Sequence, residues 1–340
     1  MTRFMFLTVV IMSTYFLQAA FGRGTSRYPR IGNRLRPVAQ TLMRSMFSTL
    51  RQPSLCNVSH QHRRWCRDKG VRNALLDARL LAITQCQEQF RYDPWNCSDE
   101  YRNISFSHGN KVYRETALLY AMSAAALTHV VAQACADGSM RRCRCAEEHS
   151  PEDTRRIWPW GLCGDNYSYG RRFTRRFTQL RQSRVDHLHG FVVRHNINIG
   201  IQAVGQMKTV CKCHGVSGSC TSKTCWKRLK PFKETAEILK GSYYKAQIEV
   251  SSNHVSRERS CKRRVPKSTL VYIHSSPDFC PSTRGRRCLN PDNCGTLCCS
   301  RGYVHKTVSD IRPCNCHWVS RSYELSCKKC SVMRDIYICK

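Results

Sequence analysis

CKCHGVSGSCTSKTCW, residues 211–226, places four cysteines, a histidine and two glycines in sixteen residues. Three chemistries compete for it. Cys211, Cys213 and His214 have the donor types of a zinc site. Gly215-Val216-Ser217-Gly218 resembles the GxSxG nucleophile elbow, but its last glycine is one residue early, and an elbow needs a strand, a turn and then a helix. The third reading is a display loop. Cys213 and Cys220 enclose HGVSGS, with Cys211 and Cys225 outside them. Nested pairing would make a hairpin stapled twice, with Ser217 at its apex and Gly215 and Gly218 supplying positive φ. On spacing alone, Ser217 and Ser219 are ordinary turn serines.

Working outward, the chain supplies a compartment. Met1-Thr2-Arg3, an apolar run from Phe4 to Leu17 and small residues to Gly22 predict a signal peptide over 1–22. That run is shorter than the ~20 residues needed to span a bilayer. The 18-residue stretch from Ala117 is interrupted by Ser123, Thr128, His129 and Gln133, and reads as a buried core helix. Behind a signal peptide, 23 cysteines in 340 residues predict a disulfide framework rather than zinc modules. Cys327-Lys-Lys-Cys330 lacks a second CxxC at zinc-ribbon distance, so no metal is expected. No acid or histidine completes a catalytic triad for Ser217, so no enzyme is expected. Sequons at Asn57, Asn103 and Asn166 predict glycosylation, and Asn96-Cys-Ser is a fourth, beside a cysteine. The net charge of +33 would suggest nucleic acid inside a cell. For a secreted chain the available polyanions are sulfated glycans and anionic membrane surfaces. Basic clusters recur at Arg141-Arg142, Arg171-Arg172, Arg175-Arg176, Lys262-Arg263-Arg264 and Arg284 with Arg286-Arg287.

Cysteine spacing divides the chain. Residues 56–225 hold 12 cysteines among stretches of helical periodicity, and residues 280–339 hold 10. The expected class is α+β: a helical N-terminal domain (23–250) carrying the 211–226 hairpin, a linker (251–270) and a small disulfide-rich β-hairpin domain (271–340). Residues 71–90 predict a helix with Leu76, Leu80, Ile83 and Gln87 on one stripe, widened by Ala78 and Leu81. Further helices are predicted over 114–135, over 169–182 with Phe173, Phe177 and Leu180, and over 185–209 with Leu188, Phe191, Val192, Ile199 and Val204. After Trp226 the pattern reads as strand, including TLVYI at 269–273. The last segment reads as short strands and loops held by disulfides, because so small a unit buries little apolar area.

These residues carry a resemblance. CKCHGVSGSC followed by KTCW is similar to the signature of the Wnt family of secreted, lipid-modified signalling proteins. So are CQEQFRYDPWNCS (86–98), RETALLYAMSAAALTHVVAQAC (114–135), CRC (143–145), WPWGLCGDNYSYG (158–170), SPDFC (276–280), LCCSRGY (297–303) and PCNC (313–316). The resemblance covers about residues 50–340.

The resemblance implies disulfides Cys86–Cys97, Cys135–Cys143, Cys145–Cys163, Cys211–Cys225 and Cys213–Cys220, with Cys56–Cys66 as a local pair. It further implies Cys280–Cys299, Cys288–Cys294, Cys298–Cys339, Cys314–Cys330 and Cys316–Cys327, leaving Cys261 over. The chain departs from the family at the tip of the last hairpin, where Val319-Ser320 follow Trp318 in place of a vicinal cysteine pair.

The function implied is that of a ligand whose Ser217 receives a monounsaturated fatty acyl group from the acyltransferase Porcupine in the endoplasmic reticulum; no cofactor is implied. The acylated hairpin ("thumb") would meet the cysteine-rich domain of a Frizzled receptor with Lys212, Val216 and Ser217. A C-terminal "index finger" would add Trp318 and Val319. A low-density-lipoprotein-receptor-related or other co-receptor, the carrier Wntless and heparan sulfate proteoglycans are the further expected partners. The expected location is the extracellular space and matrix. Rival readings are a basic heparin-binding matrix protein without receptor agonism, a secreted hydrolase, and an antagonist with a defective finger.

Overall fold

The computed structural model describes residues 45–47, 55–107, 111–147, 163–178, 187–221, 223–249, 268–319 and 324–340, all within one compact unit spanning Pro37–Lys340. The expected signal peptide, most of the linker, Leu180, Cys261 and Ser320 lie outside the described residues.

The helices of the first part are α1 (His60–Trp65), α2 (Lys69–Gln89), α3 (Asp99–Ser107), α4 (Arg114–Ala136), α5 (Tyr167–Phe177), α6 (His187–Ala203) and α7 (Phe232–Tyr244). The short strands β1 (Ala146–Glu147) and β2 (Cys163–Gly164) pair antiparallel. The hairpin is β3 (Met207–Cys213) and β4 (Lys223–Leu229). The short strands β5 (Gln247–Ile248) and β6 (Val271–Tyr272) pair in parallel.

The central helix is α4. It is long and apolar enough to cross a membrane, but 89% of its most apolar window is buried inside the protein, so it is a core helix, as its polar interruptions suggest. It packs against α2, α5, α6 and α7. Its alanines let neighbours approach to backbone contact. A Cβ on Gly200 of α6 would stand 2.0 Å from the Ala121 carbonyl oxygen, and one on Gly170 of α5 would stand 2.5 Å from that of Thr128.

The burial pattern overturns the stripe expected on α2. Its buried residues are Val71, Ala74, Leu75, Ala78, Ala82 and Cys86, whereas Leu76 and Leu80 are 53% and 66% exposed. The buried face is built mostly from small side chains, with Val71 and Leu75 among them. Three other expectations change. The helix expected over 185–209 stops at Ala203, and residues 207–209 open β3. The strand-like reading after Trp226 missed α7, whose Phe232, Ala236, Leu239 and Tyr243 are buried on one helical face. TLVYI supplies only a two-residue strand, bracketed by the buried Asn196 amide. Its Nδ2 donates to Val271 O at 2.8 Å, and its Oδ1 accepts from Val271 N at 3.0 Å.

The buried Glu115 of the RETA block joins three segments. It accepts hydrogen bonds from the Tyr243 hydroxyl of α7 (2.8 Å) and the Ser276 hydroxyl (2.6 Å). The C-terminal segment holds α8 (Pro291–Leu297), β7 (Tyr303–Val319) and β8 (Glu324–Cys339). Instead of the expected short strands, β7 and β8 form one long antiparallel ribbon, with a register shift between Cys314 and His317. Its own core is small: Cys288, Cys294, Leu297, Cys298 and Cys339. Arg286 docks it on the turn after α2, donating to the carbonyls of Pro94, Arg91 and Asp93, each at 2.9 Å.

Candidate functional site

The 211–226 stretch is a hairpin rooted in the helical part. Cys211 lies directly opposite Cys225 in the β3–β4 register, and the two are bonded. Cys213 is bonded to Cys220, closing the loop a second time. The root is held by Asp165, which is 1% exposed. Its backbone N–H donates to Lys227 O at 3.1 Å, and its Oδ2 accepts from Leu229 N at 2.7 Å. Burial raises its carboxyl pKa above the ordinary value, while the Leu229 hydrogen bond and Arg228 oppose the rise. Gly164 leaves room for this contact, since a Cβ there would stand 2.8 Å from Lys227 O.

The tip is a single tight turn. Gly215 N–H donates to Ser219 O (2.8 Å), Gly218 N–H to Gly215 O (3.0 Å) and Ser219 N–H to Val216 O (3.1 Å). The two glycines serve different needs. Gly218 has φ +77°, but Gly215 has φ −69°, so the expectation of positive φ holds at only one of them. Gly215 is required for space: a Cβ there would stand 2.0 Å from Ser219 Oγ and 2.5 Å from Ser219 O. The second left-handed residue is Ser217 itself, at φ 58° and ψ 26°. For a non-glycine residue that conformation costs about 1–2 kcal/mol.

The turn also separates the two serines. The Ser219 hydroxyl meets that of Thr221 at 3.2 Å. Ser217 is exposed, and its hydroxyl has no hydrogen-bond partner among the described residues. Val216 beside it is 90% exposed, and Lys212 is exposed on β3. The three expected contact residues of the thumb therefore share one protruding hairpin.

Trp318 and Val319 sit on the other hairpin, at the far end of β7. Trp318 is 61% exposed and pairs across the strands with Leu325, itself 60% exposed. Leu325 was not singled out by the sequence reading; its pairing with Trp318 depends on the strand register. Cys314–Cys330 and Cys316–Cys327 brace the ribbon below this pair.

Among the described residues the other disulfides are the local pair Cys56–Cys66 and, as the resemblance implies, Cys86–Cys97, Cys135–Cys143, Cys145–Cys163, Cys280–Cys299, Cys288–Cys294 and Cys298–Cys339. Sulfurs of Cys288, Cys294 and Cys298 lie within 4.8 Å of one another, but each belongs to a disulfide and offers no thiolate. Of the expected glycan acceptors, Asn57 and Asn103 are exposed. Asn166 instead caps α5: its Oδ1 accepts from Tyr169 N at 2.9 Å, and its Nδ2 donates to Arg144 O at 2.8 Å.

Comparison with known proteins places this geometry. A family model described as the wnt family matches residues 54–340. The chain is 41% identical over 306 residues to Protein Wnt-4 of Drosophila melanogaster, a match covering 85% of this chain. It spans only 55% of that relative's length. It is 38% identical over 311 residues to mouse Protein Wnt-9b, covering 86% of this chain and 85% of that protein. Among solved structures, a chain from human WLS in complex with WNT8A superposes with a TM-score of 0.57 at 26% identity. That match covers 89% of this chain and 99% of that one.

Proposed function

The chain belongs to the Wnt family of signalling ligands, and from that premise we propose that it is a secreted ligand which engages a Frizzled cysteine-rich domain through a fatty acyl group on Ser217. The observation that carries this reading is the tip: a twice-stapled turn with an exposed left-handed serine whose hydroxyl has no partner among the described residues. An acyltransferase of the Porcupine kind would need an accessible hydroxyl, and Ser217 meets that need better than Ser219, whose hydroxyl meets that of Thr221 at 3.2 Å. Burying a monounsaturated chain in a receptor groove contributes on the order of 10 kcal/mol gross, at ~0.8 kcal/mol per CH₂. Association and desolvation offset part of this. The staples matter because a loop already held in its bound shape loses little entropy on docking.

The Trp318–Leu325 pair supports a second contact, since a large aromatic beside an aliphatic residue is a common interface anchor. Val319 borders it. A low-density-lipoprotein-receptor-related or other co-receptor would complete the signalling complex. The acyl chain makes free passage through water unfavourable, so secretion through a carrier of the Wntless kind is part of the proposal. It is consistent with the solved neighbour, a complex of human WLS with WNT8A. The basic surface would hold the secreted ligand on heparan sulfate in the matrix.

The test is metabolic labelling with an alkynyl fatty acid. Ser217→Ala should abolish label and signalling, and Ser219→Ala should keep both. Equal lipid on wild type and Ser217→Ala would sink the proposal. A chain that partitions wholly into water when expressed in acylating cells would favour the unlipidated matrix-protein reading.

A further inference from the structure

The surface holds a basic cavity that the thumb and finger do not use. It has a volume of about 530 Å³, and its walls include Arg142, Arg172, Arg176, Trp65, Tyr169 and Phe173. The arginines arrive from two directions. On α5 the buried residues are Gly170, Phe173, Thr174 and Phe177, which leaves Arg171, Arg172, Arg175 and Arg176 exposed on the outer face. Arg142 comes from the turn after α4, beside the Cys135–Cys143 disulfide. Among the described residues no carboxylate forms an ion pair with Arg142, Arg172 or Arg176. The acid at this turn, Asp68, is engaged in capping α2, where its Oδ1 accepts from Gly70 N at 2.9 Å. Burial raises the Tyr169 phenol pKa and the Asp68 carboxylate adds to the rise, while Arg142, Arg176 and Arg172 oppose it.

The walls are rigid. Gly170 sits against Thr128 O with no room for a side chain. The His62 ring of α1 donates from Nε2 to Phe177 O at 2.8 Å. Trp65 packs against Phe173 and Phe177 at ring separations of 5.9 and 5.5 Å, and Tyr169 stacks on Phe173 at 6.3 Å. A second cavity of about 500 Å³ lies on the other side of the same turn, with Arg63, Lys69 and Arg72 in its walls. The two share no wall residue, although Trp65 of one and Cys66 of the other, and Val71 of one and Arg72 of the other, are neighbours in the chain.

We propose that the cavity walled by these arginines is a binding site for a sulfated polysaccharide chain, with Arg142, Arg172 and Arg176 holding sulfate groups and Trp65 and Tyr169 packing against a sugar ring. Guanidinium groups present planar donor forks suited to sulfate-like oxyanions. A pyranose ring offers C–H faces to an aromatic wall while its sulfates reach outward to the rim. Each cavity has the size of a small-ligand site. Three guanidinium groups around one cavity call for a ligand bearing several sulfates rather than an isolated ion. The concave shape disfavours a membrane surface, which is flat on this scale. The disulfide framework, formed in an oxidising compartment, disfavours nucleic acid. The proposal rests on the reading above that the secreted ligand is retained on sulfated glycans, and gives that retention an address.

The test uses the full acylated chain in detergent and heparin oligosaccharides of defined length at about 0.15 M salt. Arg142→Ala, Arg172→Ala and Arg176→Ala combined should weaken binding about 30-fold, roughly threefold for each lost contact. A charge-matched control, Lys245→Ala, Lys306→Ala and Lys340→Ala combined, should change it less than about threefold. Tyr169→Ala should weaken binding to the oligosaccharides but not to inorganic polyphosphate, which has no ring to pack. Equal losses in the two triple variants would overturn the site, leaving only diffuse charge attraction. A larger loss for anionic vesicles or single-stranded DNA than for heparin would overturn the ligand class. Wild type that ignores heparin altogether would overturn glycan retention as well. Wild type that binds, with the arginine variant undiminished, would overturn the location alone.

Discussion

Gly215→Ala is the sharpest single test of the tip. The added Cβ would lie 2.0 Å from Ser219 Oγ and 2.5 Å from both Ser219 O and Thr221 Oγ1, inside the 3.0 Å that real Cβ atoms respect. Side chains at 219 and 221 can turn away, but the Ser219 carbonyl belongs to the turn and accepts the Gly215 N–H. Crowding of this kind costs about 1–3 kcal/mol, and opening the hydrogen bond adds about 1 kcal/mol. The native turn is then disfavoured by about 2–4 kcal/mol, a population loss of about 30-fold or more. Gly218→Ala meets nothing within 4 Å and strains only φ, at +77°, which costs about 1–2 kcal/mol. In acylating cells Gly215→Ala should therefore lose at least about tenfold of the acyl label, and Gly218→Ala clearly less. The melting temperature should stay near wild type in both, because the tip is exposed and outside the core. Full labelling of Gly215→Ala, or greater damage from Gly218→Ala, would refute the reasoning.

Three further outcomes follow from the packing. His129 on α4 is 4% exposed, and burial lowers its pKa from 6.5 to about 4. The unfolded chain therefore takes up a proton that the native state refuses. Stability is full above pH 6.5 and falls toward pH 4, by on the order of 3 kcal/mol for this group; burial lowers the pKa of His62 in the same sense. His129→Gln should flatten the pH dependence of denaturant unfolding between pH 7 and 4, and an unchanged slope would count against the assignment. Gly200→Ala should destabilise by roughly 2 kcal/mol or more, since its Cβ would meet the Ala121 backbone at 2.0 Å; a melting temperature equal to wild type would show that α4 and α6 can move apart freely. Trp318→Ala and Leu325→Ala should each weaken receptor binding by about 1–2 kcal/mol in a surface-binding assay while leaving acylation intact, and unchanged affinity in both would remove the finger from the interface.

Much of the site was legible as residue type and spacing. Cysteine spacing, helped by the family resemblance, located the staples, and polar interruptions correctly kept α4 out of the membrane. Periodicity failed where it weighted size over fit. On α2 the large Leu76 and Leu80 looked like a core stripe, but the buried face runs through Val71, Ala74, Leu75, Ala78 and Ala82 instead. In β7 and β8 no strong alternation was visible because most of the ribbon is exposed on both faces. Disulfides and strand pairing, not a buried face, hold it together.

The sequence by itself determined the cysteine framework, the family, the position of Ser217 and the excess of positive charge. These depend on residue identity and order, which no packing can alter. Only the tertiary structure decided that Gly215 is there for space and Gly218 for φ, and that the Ser219 hydroxyl meets Thr221 while that of Ser217 has no partner among the described residues. It also paired Leu325 with Trp318 and turned scattered arginines into one cavity. Those outcomes depend on which atoms from distant positions come within a few ångströms, and short-range pattern in the chain does not encode that.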